Sequence, residues 1–219
     1  MPKVIRIVIL SSKPVIAYTM QRFQQHPEID NIVLVCVHGF EGQLQSIVDK
    51  NGITKVTNIV AGGQDYEHSI INGVKSLTNL ADDDVVMIHW AASPFVTDEI
   101  ITENIRVCKE KGNAMSACSA YLLYGTNDGE FSKQVLDRDT FKVLSAPQSF
   151  LYKNIVDIYK RVEIEHIFDI VEPHTTSIMA QLGIPIYFSK GNQSNIKITT
   201  KDDLELFKAY ISGKILPLI

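Results

Sequence analysis

The chain has 219 residues, 45% of them hydrophobic and 21% charged, which is enough apolar material for a sizeable core and too much for disorder. A net charge of −4 with scattered lysines and arginines excludes the basic footprint of a nucleic-acid or anionic-membrane binder. Three cysteines in no close pair, six histidines outside zinc-ligand spacing, and no leader-like or bilayer-length apolar run predict a reduced, cytoplasmic protein without a zinc site.

In chain order, "VIRIVIL" (4–10) reads as a near-continuous apolar strand, and "KPVIAYTMQRFQQH" carries apolar residues at helical spacing. The strand "NIVLVCV" (31–37) and the helical pattern "EGQLQSIVDKNG" follow. Next come "KVTNIVAGG", the helix "EHSIINGVKSLTNL", the strand "DVVMIHW", the helix "TDEIITENIRVCKEKG" and the strand "NAMSACSAYL". Apolar strands alternating with helices predict a doubly wound, Rossmann-like, mostly parallel α/β sheet. From Tyr121 to Pro147 turn chemistry at 126–129, with short strands on either side, predicts a projecting β-arm. A helix ("YKNIVDIYKRV"), the segment "EPHTTSIMAQLG", a strand ("PIYFSKG") and a helix from "TKDDLELFKAYI" close a single domain spanning 1–219.

Ligands of such sheets bind at the carboxyl ends of the strands. There, "AGGQDYEHS" offers Gly62 and Gly63 for close backbone approach and the Ser69 hydroxyl near a helix start; an ordinary strand-to-helix turn has the same residues. "HWAASP" ends the next strand, with Ala91 and Ala92 leaving room for a flat base or sugar, or simply permitting tight packing. His89 reads as a strand-end histidine satisfied by hydrogen bonds. "QSNIKITTKDDL" places Lys197 in a strand, where it either reaches solvent or faces an anion, and sets Thr200 and Asp203 as a helix cap.

Taken together, these segments resemble the cytidylyltransferases that activate polyol phosphates, the 2-C-methyl-D-erythritol 4-phosphate and D-ribitol 5-phosphate groups. The resemblance is carried by "KPVIAYTMQRFQQHPEIDNIVLVC", "AGGQDYEHSIINGVKSL", "IHWAASPFV", "DRDTFKVLSAPQSF" and "NIKITTKDDL". "PFVTDEIITENI" and "SKGNQSNIKITTKDDL" lean to the ribitol branch. The resemblance implies a nucleotide-diphospho-sugar transferase fold, CTP and a polyol phosphate as substrates, Mg²⁺ as the family's cofactor, and a homodimer built through the arm. It also implies that Gly62, Gly63, Ser69 and Ala91 contact the nucleotide. Arg138 and Lys197 then meet the acceptor phosphate, Arg138 across the dimer.

Three departures from the family's pattern stand out. The family's glycine-rich loop after its first strand has no counterpart, because "VIRIVILSS" is read as that strand running directly into "KPVIAYTM"; this is favoured over a second alignment that sets Pro2–Lys3 at the end of the loop and leaves "VIRIVIL" as loop, against its strand character. Where the family has His-Asp-Ala-x-Arg-Pro, Trp90 replaces the Asp and Ser93 the Arg. Tyr66 stands at a usual arginine, and His174 near a usual acid. Indole has one N–H donor and no acceptor, so Trp90 is read as filling nucleotide and metal space ahead of stacking on a ligand. Two functions are therefore expected: a cytidylyltransferase with a degraded triphosphate and metal site, or an inactive homologue that binds a phosphorylated polyol or nucleotide or partners an active paralogue.

Overall fold

A computed structural model describes residues 9–10 and 13–213. β1 (Ile9–Leu10) turns back antiparallel on β2 (Lys13–Pro14), and α1 (Val15–Gln25) starts at the next residue. This corrects the expected first strand at its described end. Ile9 pairs with Pro14 and Leu10 with Lys13 in a two-stranded sheet of their own, apart from the strands of the larger sheet. The remainder of that expectation, 4–8, lies outside the described residues.

Parallel β3 (Ile32–Cys36) and β4 (Val56–Ala61) flank α2 (Glu41–Lys50). α3 (Tyr66–Lys75) leads to β5 (Val85–Ile88), and α4 (Asp98–Lys111) leads to β6 (Asn113–Ser119). β7 (Tyr124–Gly125) and β8 (Val135–Leu136) form the hairpin of the arm. β9 (Lys142–Leu151), α5 (Tyr152–Ile164), α6 (Thr175–Gln181), β10 (Phe188–Lys190) and α7 (Lys201–Ile211) complete the order.

The four-stranded sheet runs β10-β6-β9-β5. β5, β6 and β10 share one direction and β9 alone opposes them, so the architecture is the expected mostly parallel α/β fold. The long β9 begins inside the stretch assigned to the arm. Its first residues pair with the outer end of β6, Lys142 with Ser119, before its apolar half enters the core beside β5.

Local chemistry fixes α4, the helix beneath this sheet. Thr97 caps its start by accepting from the Ile100 amide, and Asp98 and Glu99 follow in the first turn, where the helix dipole favours acids. Gly112, at φ +90°, ends it in the left-handed conformation that glycine adopts freely. Ile100, Ile101, Ile105 and Cys108 form its buried stripe. Buried Asn104 reaches from that stripe to the sheet, donating to the Pro147 carbonyl (3.1 Å) and Ser189 Oγ (2.7 Å) and accepting from Ser149 Oγ. The main core lies between α3, α5, α6 and the sheet, around Ile71, Phe150, Ile155 and Ile178. Burying each such side chain stabilises by about 1.5–3 kcal/mol. A second cluster packs α1 and α2 on β3 and β4. No helix of the described residues is long and apolar enough to cross a membrane.

Candidate active site

Four elements converge where β5 ends. After Ile88 the chain leaves the strand through His89 and Trp90 into a turn closed by the Ser93 amide donating to the Trp90 carbonyl (3.0 Å). Both sides of this turn are fastened. Thr19 Oγ1 of α1 donates to the Ala91 carbonyl (2.8 Å), and the Ile198 amide donates to the Ala92 carbonyl (2.8 Å). The second bond brings Lys197 to the site. Here the structure departs from expectation: residues 195–199 form an irregular connection and not a strand, joined to the turn by that amide bond. The capping box of Thr200 with Asp203 is as the sequence predicts.

Trp90 is held by its polar edge and covered on a face. Its Nε1–H donates to Tyr66 Oη at 2.7 Å, and Lys197 Nζ lies 4.9 Å from the ring centroid, within cation–π range. Tyr66 packs in turn on His174, with ring centroids 4.9 Å apart and planes 33° from parallel. Burial pushes the Tyr66 hydroxyl up to about 12, so it is a neutral phenol that accepts the indole proton. Of the six positions singled out from sequence as departures or cations, Tyr66, Trp90, His174 and Lys197 form one array, while Ser93 is buried in the turn and Arg138 lies on the arm.

Just beneath it, His89 Nε2 bonds the Ser93 carbonyl at 2.9 Å, while Nδ1 is sealed from solvent without a partner. Residue His89 is only partly covered, but its Nδ1 is out of water. Burial therefore pushes the imidazole down to about 4 and keeps it neutral, its Nε2–H committed to the Ser93 carbonyl; of the hydrogen bonds expected of a strand-end histidine, one is made and one is not. Ser93 is also buried, its hydroxyl without a partner.

The glycine turn beside the array has its amides already bonded, one to β3 and one to the start of α3. The Gly62 amide donates to the Cys36 carbonyl (2.6 Å) and the Gly63 amide to Ser69 Oγ (3.1 Å), while Ser69 Oγ donates to the Asp65 carbonyl (2.7 Å). Asp65 caps α3 by accepting from the His68 amide at 2.9 Å. A Cβ on Gly62 would come within 2.9 Å of Ser69 Oγ, and one on Gly63 would strike His68, so both glycines serve the tight fit of turn to helix. Arg138 sits on the arm, exposed, its guanidinium donating to the Tyr121 carbonyl at 3.2 Å.

One residue of the site escaped the sequence reading. Glu67 is fully buried, accepting from Tyr159 Oη at 2.8 Å and from Thr175 Oγ1 at 3.1 and 3.2 Å. Its signal was present: Glu67, Ile70, Ile71 and Val74 stand at i, i+3, i+4 and i+7, the buried stripe of α3.

The donor set decides what can bind here. The exposed faces of the array offer an ammonium, an indole, a phenol and an imidazole, which suit an anion or a flat ring. A hard cation such as Mg²⁺ needs oxygen ligands, above all carboxylates; of the two flanking Tyr66, Glu67 is turned inward onto Tyr159 and Thr175 and Asp65 is held by the amide and ring of His68. The residues at this strand end do not fit Mg²⁺. Among the described residues, no three of His, Cys, Asp and Glu gather to hold a metal.

Comparison with known proteins identifies the family and the fold. A family model described as IspD, 2-C-methyl-D-erythritol 4-phosphate cytidylyltransferase, matches residues 2–213. A ribitol-5-phosphate cytidylyltransferase of Lacticaseibacillus paracasei is 33% identical over 211 residues, 95% of this chain and 90% of the relative. A 2-C-methyl-D-erythritol 4-phosphate cytidylyltransferase of Clostridium botulinum is 35% identical over 200 residues, 90% of this chain and 84% of the relative. Among solved structures, 4-diphosphocytidyl-2C-methyl-D-erythritol synthase from Anaerococcus prevotii superposes with a TM-score of 0.79 at 22% identity, covering 93% of this chain and 88% of that one.

Proposed function

The chain belongs to the IspD cytidylyltransferase family, and from that premise we propose that it binds a polyol phosphate at the end of β5, with its nucleotide end altered by Trp90. The family joins CTP to a polyol phosphate: the acceptor phosphate attacks the α-phosphorus and pyrophosphate leaves. That chemistry is mostly positioning and charge stabilisation. The observation that carries the reading is the seating of Trp90, bonded to Tyr66 and lying against Lys197, where the family keeps a carboxylate.

On the acceptor side, Lys197 presents a cation at the strand end and Arg138 a planar one on the arm, suited to grip a phosphate bidentately. Ribitol 5-phosphate is the favoured acceptor, in keeping with the name of the L. paracasei relative. Methylerythritol 4-phosphate is the second choice. On the nucleotide side, the indole fills space and supplies no metal ligand, and the amides of Gly62 and Gly63 are already spent, on the Cys36 carbonyl of β3 and on Ser69 Oγ. A fully active transferase is the competing reading, supported by identity to relatives named as such over most of the chain.

Two measurements separate them. Calorimetry should show ribitol 5-phosphate binding more tightly than Mg²⁺–CTP. Lys197→Ala should weaken it about tenfold, since a hydrogen bond to a charged group contributes roughly 1.5–3 kcal/mol. Release of pyrophosphate from CTP with ribitol or methylerythritol phosphate should be absent or very slow; rapid release would make the chain an ordinary transferase and sink the reading.

The arm bears on assembly. Leu123 (73% exposed), Phe131 (60%) and Val135 (69%) lie on or beside the β7–β8 hairpin, an apolar surface that an isolated subunit leaves in water. The protein should therefore sediment as a homodimer at micromolar concentration, with Arg138 brought to the neighbouring subunit's strand end, and Leu123→Asp should yield monomers. A wild-type monomer with the arm folded on its own domain would refute this.

A further inference from the structure

Behind the array lies a carboxyl that phosphate binding does not use. Glu67 directly follows Tyr66 in the first turn of α3, and its oxygens take hydrogen bonds from Tyr159 of α5 and Thr175 of α6. Gln148 of β9 donates its Nε2–H to Thr175 Oγ1 at 3.0 Å, so the single hydroxyl proton of Thr175 is left for Glu67. One residue before Thr175, His174 packs on Tyr66. Two consecutive residues of α3 therefore grip two consecutive residues at the start of α6. Tyr66 meets His174 by ring contact, and Glu67 meets Thr175 by hydrogen bonds inside.

We infer that Glu67 is the positioning residue of the strand-end array, and that its protonation sets how firmly Tyr66 is held between His174 and Trp90. The inference rests on the proposed reading of this strand end as the ligand end, yet the array can be observed with no ligand present.

The physical ground is a buried group between two opposed demands. Burial pushes the Glu67 carboxyl up to about 7, against the two donors from Tyr159 and Thr175, which favour the anion, and with added repulsion from Asp65. Among the described residues, the groups that face it give it no cation. Tyr66 and Tyr159 are phenols whose hydroxyls burial raises, and His68 turns its ring nitrogen to Asp65 at 2.8 Å. In the protonated state the junction of α3, α5 and α6 is neutral, and the carboxyl hydroxyl donates back to Tyr159 or Thr175. In the ionised state an uncompensated charge sits inside it, and water entering between α3 and α6 relieves that charge. Separation there loosens His174 from Tyr66 and, through Tyr66, the bond to Trp90.

Trp90 is the chain's single tryptophan, so the intrinsic fluorescence of the intact protein reports on it alone. Emission should move to longer wavelength as pH rises through about 7, and Glu67→Gln should be flat over the same range. Thr175→Val removes one donor to the anion and should move the midpoint to higher pH. His174→Gln should leave the midpoint in place. A titration that survives in Glu67→Gln, or one whose midpoint moves in His174→Gln with Glu67 intact, overturns the inference. If Glu67→Gln does not fold, an unmoved midpoint in Thr175→Val does so instead. Loss of ribitol phosphate binding with the titration intact removes the functional reading alone. A missing titration with binding intact removes only this one.

Discussion

Glu67→Gln and His89→Gln should tilt the pH dependence of stability in opposite directions, each by about 2 kcal/mol between pH 4.5 and 6.5. Glu67 is raised to about 7 in the folded chain. The fold therefore holds this proton more tightly than the unfolded chain does. Its contribution is full below the unfolded carboxyl value and is lost as pH rises toward 7. His89 is lowered to about 4, because charging it would place a proton on the sealed, partnerless Nδ1. Its contribution is full above the unfolded imidazole value and is lost as pH falls toward 4. Across the window between them the two slopes nearly cancel in the wild type. Glu67→Gln exposes the histidine slope, so that variant should lose stability on acidification relative to wild type. His89→Gln keeps an amide donor for the Ser93 carbonyl and exposes the carboxyl slope, so it should gain stability on acidification. For a chain of this size about 2 kcal/mol moves the melting temperature by roughly 4–8 °C, well within the reach of calorimetry. Profiles of both variants running parallel to wild type would show that neither group titrates inside the fold.

How much of this was legible in the sequence depended on whether a residue's role was local. α4 could be read outright, because Thr97, Asp98, Gly112 and the stripe Ile100–Ile101–Ile105 act within or next to the helix. The cap of α7 was legible for the same reason. β9 was obscured because its pairing is distant: Lys142 answers Ser119 and Phe150 answers both Val86 and Asn113, across an intervening arm. Of the apolar run ending at Leu10, the two described residues pair with Lys13–Pro14 just before α1, a short-range pairing that apolar composition alone does not distinguish from a sheet strand. Lys197 was placed at the site but on the wrong kind of backbone, since the short run "NIKIT" has strand composition and no adjacent strand to complete it. Glu67 was hidden by double meaning. An acid in the first turn of a helix is accounted for by the dipole alone, and only its phase with Ile70, Ile71 and Val74 marks it as interior.

Trp90→Asp should create Mg²⁺-dependent binding of CTP where the wild type has none. In the wild type the indole is fixed by Tyr66 and flanked by Lys197, and the array has no carboxylate facing outward. Thermal melts with Mg²⁺–CTP should therefore leave the wild-type midpoint unmoved, because a ligand that does not bind the native state cannot stabilise it. The introduced carboxylate replaces a donor-only ring by two acceptor oxygens, removes bulk at the strand end, and restores the family's side chain. Converting Ser93 to Arg as well would add the second family residue, but Ser93 is 1% exposed, and a guanidinium forced into that closed turn would overpack it. The single substitution is thus the cleaner test. At a ligand concentration ten times the dissociation constant the gain is about 1.4 kcal/mol, a shift of a few degrees that should vanish when Mg²⁺ is chelated. Turnover should stay low, since Tyr66 still occupies the position of a family arginine and Gly62 and Gly63 still spend their amides internally. The opposite result is equally readable. Strong quenching of wild-type fluorescence by CTP would mean that Trp90 stacks on the base, and the strand end would then be a nucleotide platform and not a closed one.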